Sequence, residues 1–332
     1  MEKEIYKVSV IIPVYNVRDF ISHCAESLMN QTLDDIDYIF VDDASPDDSI
    51  DVLIRVLEKF PYRKNNVRIV KHNVNQGLPA ARNTGLAYAK GEYIFHCDGD
   101  DFVEPEMLKD MYSKAKEVNA DIVWSDWYLS FENKDRYMSQ PCYKDPDEAL
   151  KALLSGAMKY NVWNKLVKRT LYIDNNIKFP TGHGMGEDMT MIRFFTFANK
   201  IAYIPKAYYH YVKINTGSMT NVWSQKHIDD LKFNVEETEK YIRRKYYDKM
   251  DDYISFFKLN VKVHFLISDN VRMYLQWNSL FAEAHPYIMR NKLMSKRIRI
   301  LQWMAWKKQY WFILLYYKFV QQFIITYLLG YR

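Results

Sequence analysis

The chain has 332 residues, enough for about two domains. Apolar residues make up 48% and charged residues 26%, which supports a sizeable core and excludes wholesale disorder. The net charge of +5 hides an asymmetry: nine Lys and Arg side chains and no acid follow Glu283, so the body is mildly acidic and the tail strongly basic. Three cysteines without CxxC spacing argue against a disulfide framework or a thiolate metal site and favour a reducing, cytosolic setting. The first apolar run, Val8 to Val14, is too short for a leader or a membrane span. Aromatic residues reach 16%, with 27 Tyr, a content that needs a structural reason.

The first ~125 residues alternate strand and helix patterns, the signature of a mostly parallel α/β sheet with helices on both faces. Val8 to Ile12 reads as the first strand, and Asp19 to Asn30 as a helix with Phe20, Cys24 and Leu28 at helical spacing. Tyr38 to Val41 is a second strand ending in Asp42-Asp43. Ser45-Pro46 then reads as a helix start, with Ser as cap and Pro at the first position. Val67 to Val70 is the third strand, followed by an Ala-rich helix from Leu78 to Lys90 closed by Gly91. Tyr93 to Cys97 is the fourth strand, Pro105 to Val118 a helix and Asp121 to Ser125 a fifth strand. Residues 126–220 mix short strands with helices. Trp223 to about Phe281 is helical, and Met289 to Leu329 is basic, aromatic and apolar. The pattern predicts domains at 1–220 and 221–332, the second mainly α-helical.

The densest chemistry lies at Asp98-Gly99-Asp100-Asp101, directly after an apolar strand. Carboxylates this close repel unless a cation offsets them, and oxygen ligands suit a hard divalent ion. The end of a parallel strand is where open α/β sheets bind ligands; the competing reading is a polar turn. Asp42-Asp43 ends the second strand in the same way and suits a nucleobase or ribose contact, or a helix cap. Pro13-Val14-Tyr15-Asn16 ends the first strand, where Tyr15 can stack on a base; no Gly-rich dinucleotide fingerprint follows. Arg82, one turn into the third helix, reads by itself as a solvated surface arginine. Glu187-Asp188 stands at a helix N-terminus, which the macrodipole alone would favour, or supplies a general base.

Taken together, VSVIIPVYN (8–16), VDDASPDDS (41–49), NQGLPAARNTGL (75–86), GEYIFHCDGDD (91–101), VWNKLVKR (162–169) and GEDM (186–189) resemble the family 2 inverting glycosyltransferases of the GT-A fold. The six pieces stand in the family's order and cover about residues 6–215. The resemblance implies a mixed GT-A sheet and a nucleotide-sugar donor, UDP-linked by the family's prior. Pro13 and Tyr15 would line the base pocket, Asp43 would bond the base with Arg82 beside it, and Asp98 would approach the ribose. Asp100, with Asp98, would bind Mn²⁺ or Mg²⁺ on the diphosphate. Asp188 would be the catalytic base with Glu187 beside it, and Trp163 and Lys165 form the family's W-x-K element. The family's arginine that closes over the diphosphate has no clear match; His210 or Lys213, near Gly217-Ser218, are candidates. The implied acceptor is a glycan or lipid-linked glycan in surface-polysaccharide assembly. A sugar-phosphate nucleotidyltransferase and a non-catalytic nucleotide-sugar or glycan-binding module are the alternatives, disfavoured by the intact Asp98, Asp100 and Asp188.

Residues 289–332 combine Lys and Arg with Trp303, Trp306, Trp311, Phe312 and Phe319. As one helix, they would set Lys307, Lys308, Lys318, Gln321 and Gln322 near one face. That suits an amphipathic helix on an anionic membrane, which would place the protein at the inner face of the cell membrane. Packing on the body or in a homodimer is the other reading. A full span would put Lys318, Gln321 and Gln322 mid-bilayer, and no nucleic-acid motif accompanies the basic tail.

Overall fold

The computed structural model describes residues 6–184, 186–213 and 224–320, and of residue 187 the backbone alone. Gly217-Ser218 and the tail beyond Val320, including Gln321 and Gln322, lie outside the described residues. Two compact units form: residues 1–146 with 160–238, and residues 147–159 with 239–332.

The first unit opens with β1 (Tyr6–Val14), α1 (Arg18–Met29), β2 (Ile36–Asp42), α2 (Ser49–Leu57), β3 (Val67–Lys71), α3 (Leu78–Tyr88) and β4 (Gly91–His96). Then come β5 (Phe102–Val103), α4 (Met107–Val118), β6 (Ile122–Phe131) and β7 (Lys134–Met138). After α5 (Pro146–Ser155) follow β8 (Lys165–Lys168), α6 (Arg169–Asp174), α7 (Thr190–Phe197), β9 (Ile201–Val212) and α8 (Gln225–Tyr246). The sheet runs β3-β2-β1-β4-β8-β6-β9-β5, with β7 paired to β6. β3, β2, β1 and β4 are parallel; β8 is antiparallel to both its neighbours, so the sheet is mixed. Val8 to Val14 are all buried, as the continuous apolar run of a central parallel strand requires. Val14 pairs with Asp42 and Ile11 with His96. The segments after β1, β2 and β4 therefore leave the sheet at one edge, the ligand edge of such folds.

Three local expectations are corrected. Helix α2 starts at Ser49, not at Ser45-Pro46. The Ser45 hydroxyl accepts the Asn16 N–H (2.8 Å) and donates to Asp47 (2.6 Å), so this segment is a loop tied to the end of β1. Gly91 does not cap α3, which ends at Tyr88; it opens β4. A Cβ there would stand 2.3 Å from the Ser9 nitrogen, so glycine answers the close approach of two strands. The fifth long strand, β6, continues past Ser125 to Phe131. Its pairing with β9 shifts register around Asp126, and that bulge accommodates the polar residue that reads as a strand end. Asp126 accepts hydrogen bonds from Tyr137 (2.5 Å), Tyr203 (2.7 Å) and the Gln140 N–H (2.5 Å).

The second unit contains α9 (Asp251–Val261), α10 (Val271–Ser279), α11 (Lys296–Trp306) and α12 (Tyr310–Tyr316) with α5 and the end of α8. Its core includes Leu150, Leu153, Phe257, Phe265, Trp277, Leu301 and Ile313. Lys262 is fully buried there, its ammonium donating to the carbonyls of Trp277 (3.1 Å), Leu280 and Phe281 (3.5 Å) beside His285 Nε2 (2.9 Å). The basic tail is not one helix: α11 and α12 are separated at Lys307–Gln309, with Lys308 at φ 57°. No described helix is long and apolar enough to cross a membrane.

Candidate active site

Asp43 follows β2 and is almost completely buried. One carboxylate oxygen accepts the Gln76 N–H (2.8 Å) and lies 2.7 Å from His72 Nδ1; the other accepts the Gly77 N–H (2.8 Å). Three of its roughly four acceptor positions are engaged, so its orientation is fixed while one position remains. His72 Nε2 continues to Thr84 (2.8 Å). Pro13 is buried at the end of β1. Tyr15 stands outside it, 47% exposed and free to stack on a planar ligand.

Arg82 is 1% exposed, contrary to the solvated position its place in the sequence suggests. Its guanidinium pairs with Asp98 at 2.8 Å and lies 5.5 Å from the centroid of the Phe179 ring. The Asp98–Asp101 cluster therefore does not depend on one shared ion for its stability. Asp98 has a guanidinium beside it. Asp101 is buried away from solvent, accepting the Tyr209 hydroxyl (2.7 Å) and the Val212 N–H (2.8 Å). Burial, with repulsion from Asp100 and Asp98, pushes the Asp101 carboxyl well above the usual carboxylate range. Asp101 thus fastens the turn to β9, while Asp98 and Asp100 are the partly exposed members.

Asp188 lies in the short 3₁₀ turn Glu187–Met189 before α7; the Glu187 side chain is outside the described residues. Asp188 accepts the Val162 N–H at 2.9 Å. Three residues on from Val162, Lys165 is buried, its ammonium donating to the Asn161 carbonyl (2.7 Å) and Asn164 Oδ1 (2.8 Å). Burial pushes the Lys165 ammonium down to about 7, against the opposing pull of Asp188. Trp163, 5% exposed, stacks on Tyr209 (4.5 Å) and Tyr211 (5.3 Å) and meets Trp127 edge-on (4.9 Å). The W-x-K element is therefore mostly a buried support for Asp188 and the tyrosine row of β9.

The tyrosines of β9 and Trp163 link the two carboxylate groups: Asp101 accepts the Tyr209 hydroxyl, Trp163 stacks on Tyr209 and Tyr211, and the adjoining Val162 N–H is accepted by Asp188. The Tyr211 side chain feels both. Burial raises its hydroxyl above the ordinary tyrosine value, and Asp101, Asp98, Asp100 and Asp188 all push the same way. Motifs nearly 90 residues apart are thus tied through one strand. Lys213 lies beside it, 4.6 Å from the Tyr211 ring, and feels Asp101 and Asp100. His210 is committed elsewhere: it stacks between Phe102 (4.1 Å) and Tyr128 (4.7 Å), with Ser130 and Glu104 each 3.0 Å from its nitrogens.

Sequence reasoning missed His72, Tyr209 and Tyr211, and also a clamp on the segment before Asp188. Asp230 of α8 accepts the Gly184 N–H (3.1 Å) and Lys226 Nζ (2.8 Å) and lies 3.1 Å from His183 Nδ1. Asn234, one turn later, donates to the Gly184 carbonyl (2.8 Å). A Cβ on Gly186 would lie 2.4 Å from Asn234, so glycine permits that approach. The i, i+4 spacing of Asp230 and Asn234 was the available signal, but it is common on solvated helices.

A divalent ion fits the donor set. Asp98 and Asp100 offer only oxygen ligands, one residue apart at a strand end. Among the described residues no three His, Cys, Asp or Glu side chains gather around one point to hold an ion alone. Mg²⁺ and Mn²⁺ sites of one or two carboxylates completed by substrate phosphates have this composition.

The model for glycosyl transferase family 2 matches residues 9–198. EpsH of Bacillus subtilis is 32% identical over 227 residues, covering 66% of this chain and 64% of that protein, just under two thirds of its length. The cholesterol galactosyltransferase of Borreliella burgdorferi is 34% identical over 248 residues, covering 70% and 67%. Among solved structures, S. aureus TarS 1–349 in complex with UDP-GlcNAc superposes with a TM-score of 0.70 at 22% identity, covering 95% of this chain and 92% of that one. The mannosyltransferase PcManGT from Pyrobaculum calidifontis, in complex with GDP-Man and Mn²⁺, gives 0.52 at 17% identity, covering 91% and 87%. The mixed sheet with its strand-end site is the GT-A fold, and the chain belongs to glycosyl transferase family 2.

Proposed function

We propose that this protein transfers a sugar, with inversion, from a UDP-linked donor to a hydroxyl of a glycan or lipid-linked glycan during surface-polysaccharide assembly. The observation that carries this reading is the chain of contacts that runs from Asp101 through Tyr209 and Trp163 to the Val162 N–H and Asp188. It supports reading a diphosphate-side carboxylate group and a separate candidate base as parts of one site. UDP is favoured because UDP-GlcNAc is bound in the TarS complex.

In this reading Tyr15 stacks on the base, above the buried Pro13. Asp43, held by Gln76, Gly77 and His72, accepts from the base with its remaining lone pair. Asp98, oriented by Arg82, reaches the ribose. A Mn²⁺ or Mg²⁺ ion held by Asp100, with Asp98 beside it, would act as a Lewis acid on the leaving diphosphate. Asp188 takes the proton of the acceptor hydroxyl while its oxygen bonds to the anomeric carbon and the bond to the diphosphate oxygen breaks. Such general-base assistance is worth about 10²–10⁴-fold. Glu187 adjoins the base and assists in placing the acceptor. Lys213, beside Tyr211 and the strand-end carboxylates, is the side chain we assign to cover the diphosphate.

Release of UDP and of GDP from a panel of nucleotide sugars, with Mn²⁺ and with excess chelator, tests the proposal. Turnover of at least one UDP-sugar, lost in chelator, is expected. Turnover of GDP-sugars alone would overturn the donor assignment. Full activity in chelator would remove the ion, and absence of turnover with every donor would favour a binding module.

A further inference from the structure

We propose that the outer face of α11 and α12 docks on an anionic lipid bilayer. The inner side of this pair is committed to the second unit's core: Leu301, Gln302, Ala305 and Ile313 are buried. The outer side is not. Ile300 (36%) and Trp303 (40%) are exposed on α11. Trp311 (58%), Leu315 (58%) and Phe319 (61%) follow at i, i+4 and i+8 along α12 and the turn after it. One or two exposed apolar residues need no explanation, but a spaced row of large ones does.

Lysines flank these residues along the chain. Lys296 and Lys307 are exposed within one turn of Ile300 and Trp303, Lys308 sits at the break, and Lys318 adjoins Phe319. Among the described residues none of these four lysines is in an ion pair. No acidic residue follows Glu283. Large apolar side chains flanked by lysines that reach past them are the composition of an interfacial surface, and juxtamembrane lysines are drawn to anionic headgroups.

The same charge argues against a second copy as occupant. A two-fold dimer through this face would set the patch against itself, bringing like-charged lysines together with no acid on either helix to offset them. An anionic bilayer supplies both an apolar layer for Trp311, Leu315 and Phe319 and negative charge for the lysines. The inference is independent of the sugar chemistry proposed above.

The test is co-sedimentation of the full chain with vesicles of phosphatidylcholine alone and of phosphatidylcholine with phosphatidylglycerol. The protein should pellet with the anionic vesicles, at least about tenfold more than with neutral ones, and added salt should weaken this. Trp311→Ala/Leu315→Ala/Phe319→Ala should lower the partition coefficient at least about tenfold. Lys307→Glu/Lys308→Glu should abolish the preference for anionic lipid. All five side chains are exposed, and circular dichroism with thermal unfolding of the same variants verifies that they fold. A wild-type protein that stays in the supernatant, or an apolar variant that pellets as wild type does, overturns the proposal. So does a lipid-free dimer in light scattering that the apolar variant dissociates, because the face would then cover a second copy.

Discussion

The Asp188 carboxylate accepts the backbone N–H of Val162 at 2.9 Å, so the segment preceding β8 aims the middle residue of the turn before α7. Lys165, the first residue of β8, adds its charge to the field at Asp188. Lys165→Met replaces a buried ammonium with an apolar chain of similar length. Stability should hold or rise, since burying a charge is costly. The value of kcat/KM should fall by about tenfold, and its acidic limb should move to higher pH, because losing a nearby cation favours the protonated carboxyl. A pH–rate profile alongside a denaturant melt checks both; an unchanged profile would separate Lys165 from the base.

Neighbouring aspartates should behave in opposite ways. Asp101 is buried, engaged by Tyr209 and Val212, and held toward its neutral form. Asp101→Asn keeps a neutral acceptor for the Val212 N–H and removes repulsion with Asp98 and Asp100. Its kcat should stay within about tenfold of wild type. Asp100→Asn should cost at least about 10²-fold in ion-dependent turnover, through lost charge stabilisation at the leaving group. Steady-state kinetics of both variants over a titration of Mn²⁺ gives the comparison, and equal losses would contradict the division of roles.

Asp230 holds the loop that delivers Asp188. Asp230→Ala releases Gly184, His183 and Lys226 together. Misplacement of a reacting group by about 1 Å can cost on the order of 10²-fold. The expected result is a 10- to 100-fold loss of kcat, at the order of magnitude that positioning carries, with little change in donor affinity. Calorimetric donor binding separates this from general unfolding; weakened donor binding with intact kcat would contradict the clamp.

Two buried lysines set a pH dependence of stability. Burial holds both Lys165 and Lys262 at about 7, well below 10.5. Below pH 7 the folded state bears the cost of a buried ammonium. Between about 7 and 10.5 only the unfolded chain holds that proton, so unfolding takes it up and stability rises with pH. Each group contributes at most about 1.4 kcal/mol per pH unit. Chemical denaturation at pH 7, 8 and 9 should show this rise, and Lys262→Met should flatten it. A slope unaffected by Lys262→Met would contradict the assignment.

The parallel half of the sheet was legible because β1, β2 and β4 are short apolar runs ending in turn residues, and their ends mark the ligand edge. The strand ends carried Tyr15, Asp43 and Asp98–Asp101 with them. Their internal division was not legible. Whether an aspartate faces ligand or core depends on Arg82 and Tyr209, which come from α3 and β9, and no spacing rule links those to the strand end. Arg82 read as solvated because helical periodicity does not reveal a buried ion pair. The tyrosines of β9 account for part of the high aromatic content, stacking on Trp163 and anchoring Asp101. The tail read as one helix because its composition is continuous; the break at Lys308 is a backbone event that no Gly or Pro announces.

The proposed role of Asp188 is to act on the acceptor while the donor is bound elsewhere in the site. It is tested most directly by Asp188→Asn, with UDP-sugar binding measured by calorimetry and sugar transfer by product analysis. Donor affinity should stay within a few-fold of wild type and transfer should fall by about 10²–10⁴-fold. Transfer near the wild-type rate, with donor bound normally, would contradict it.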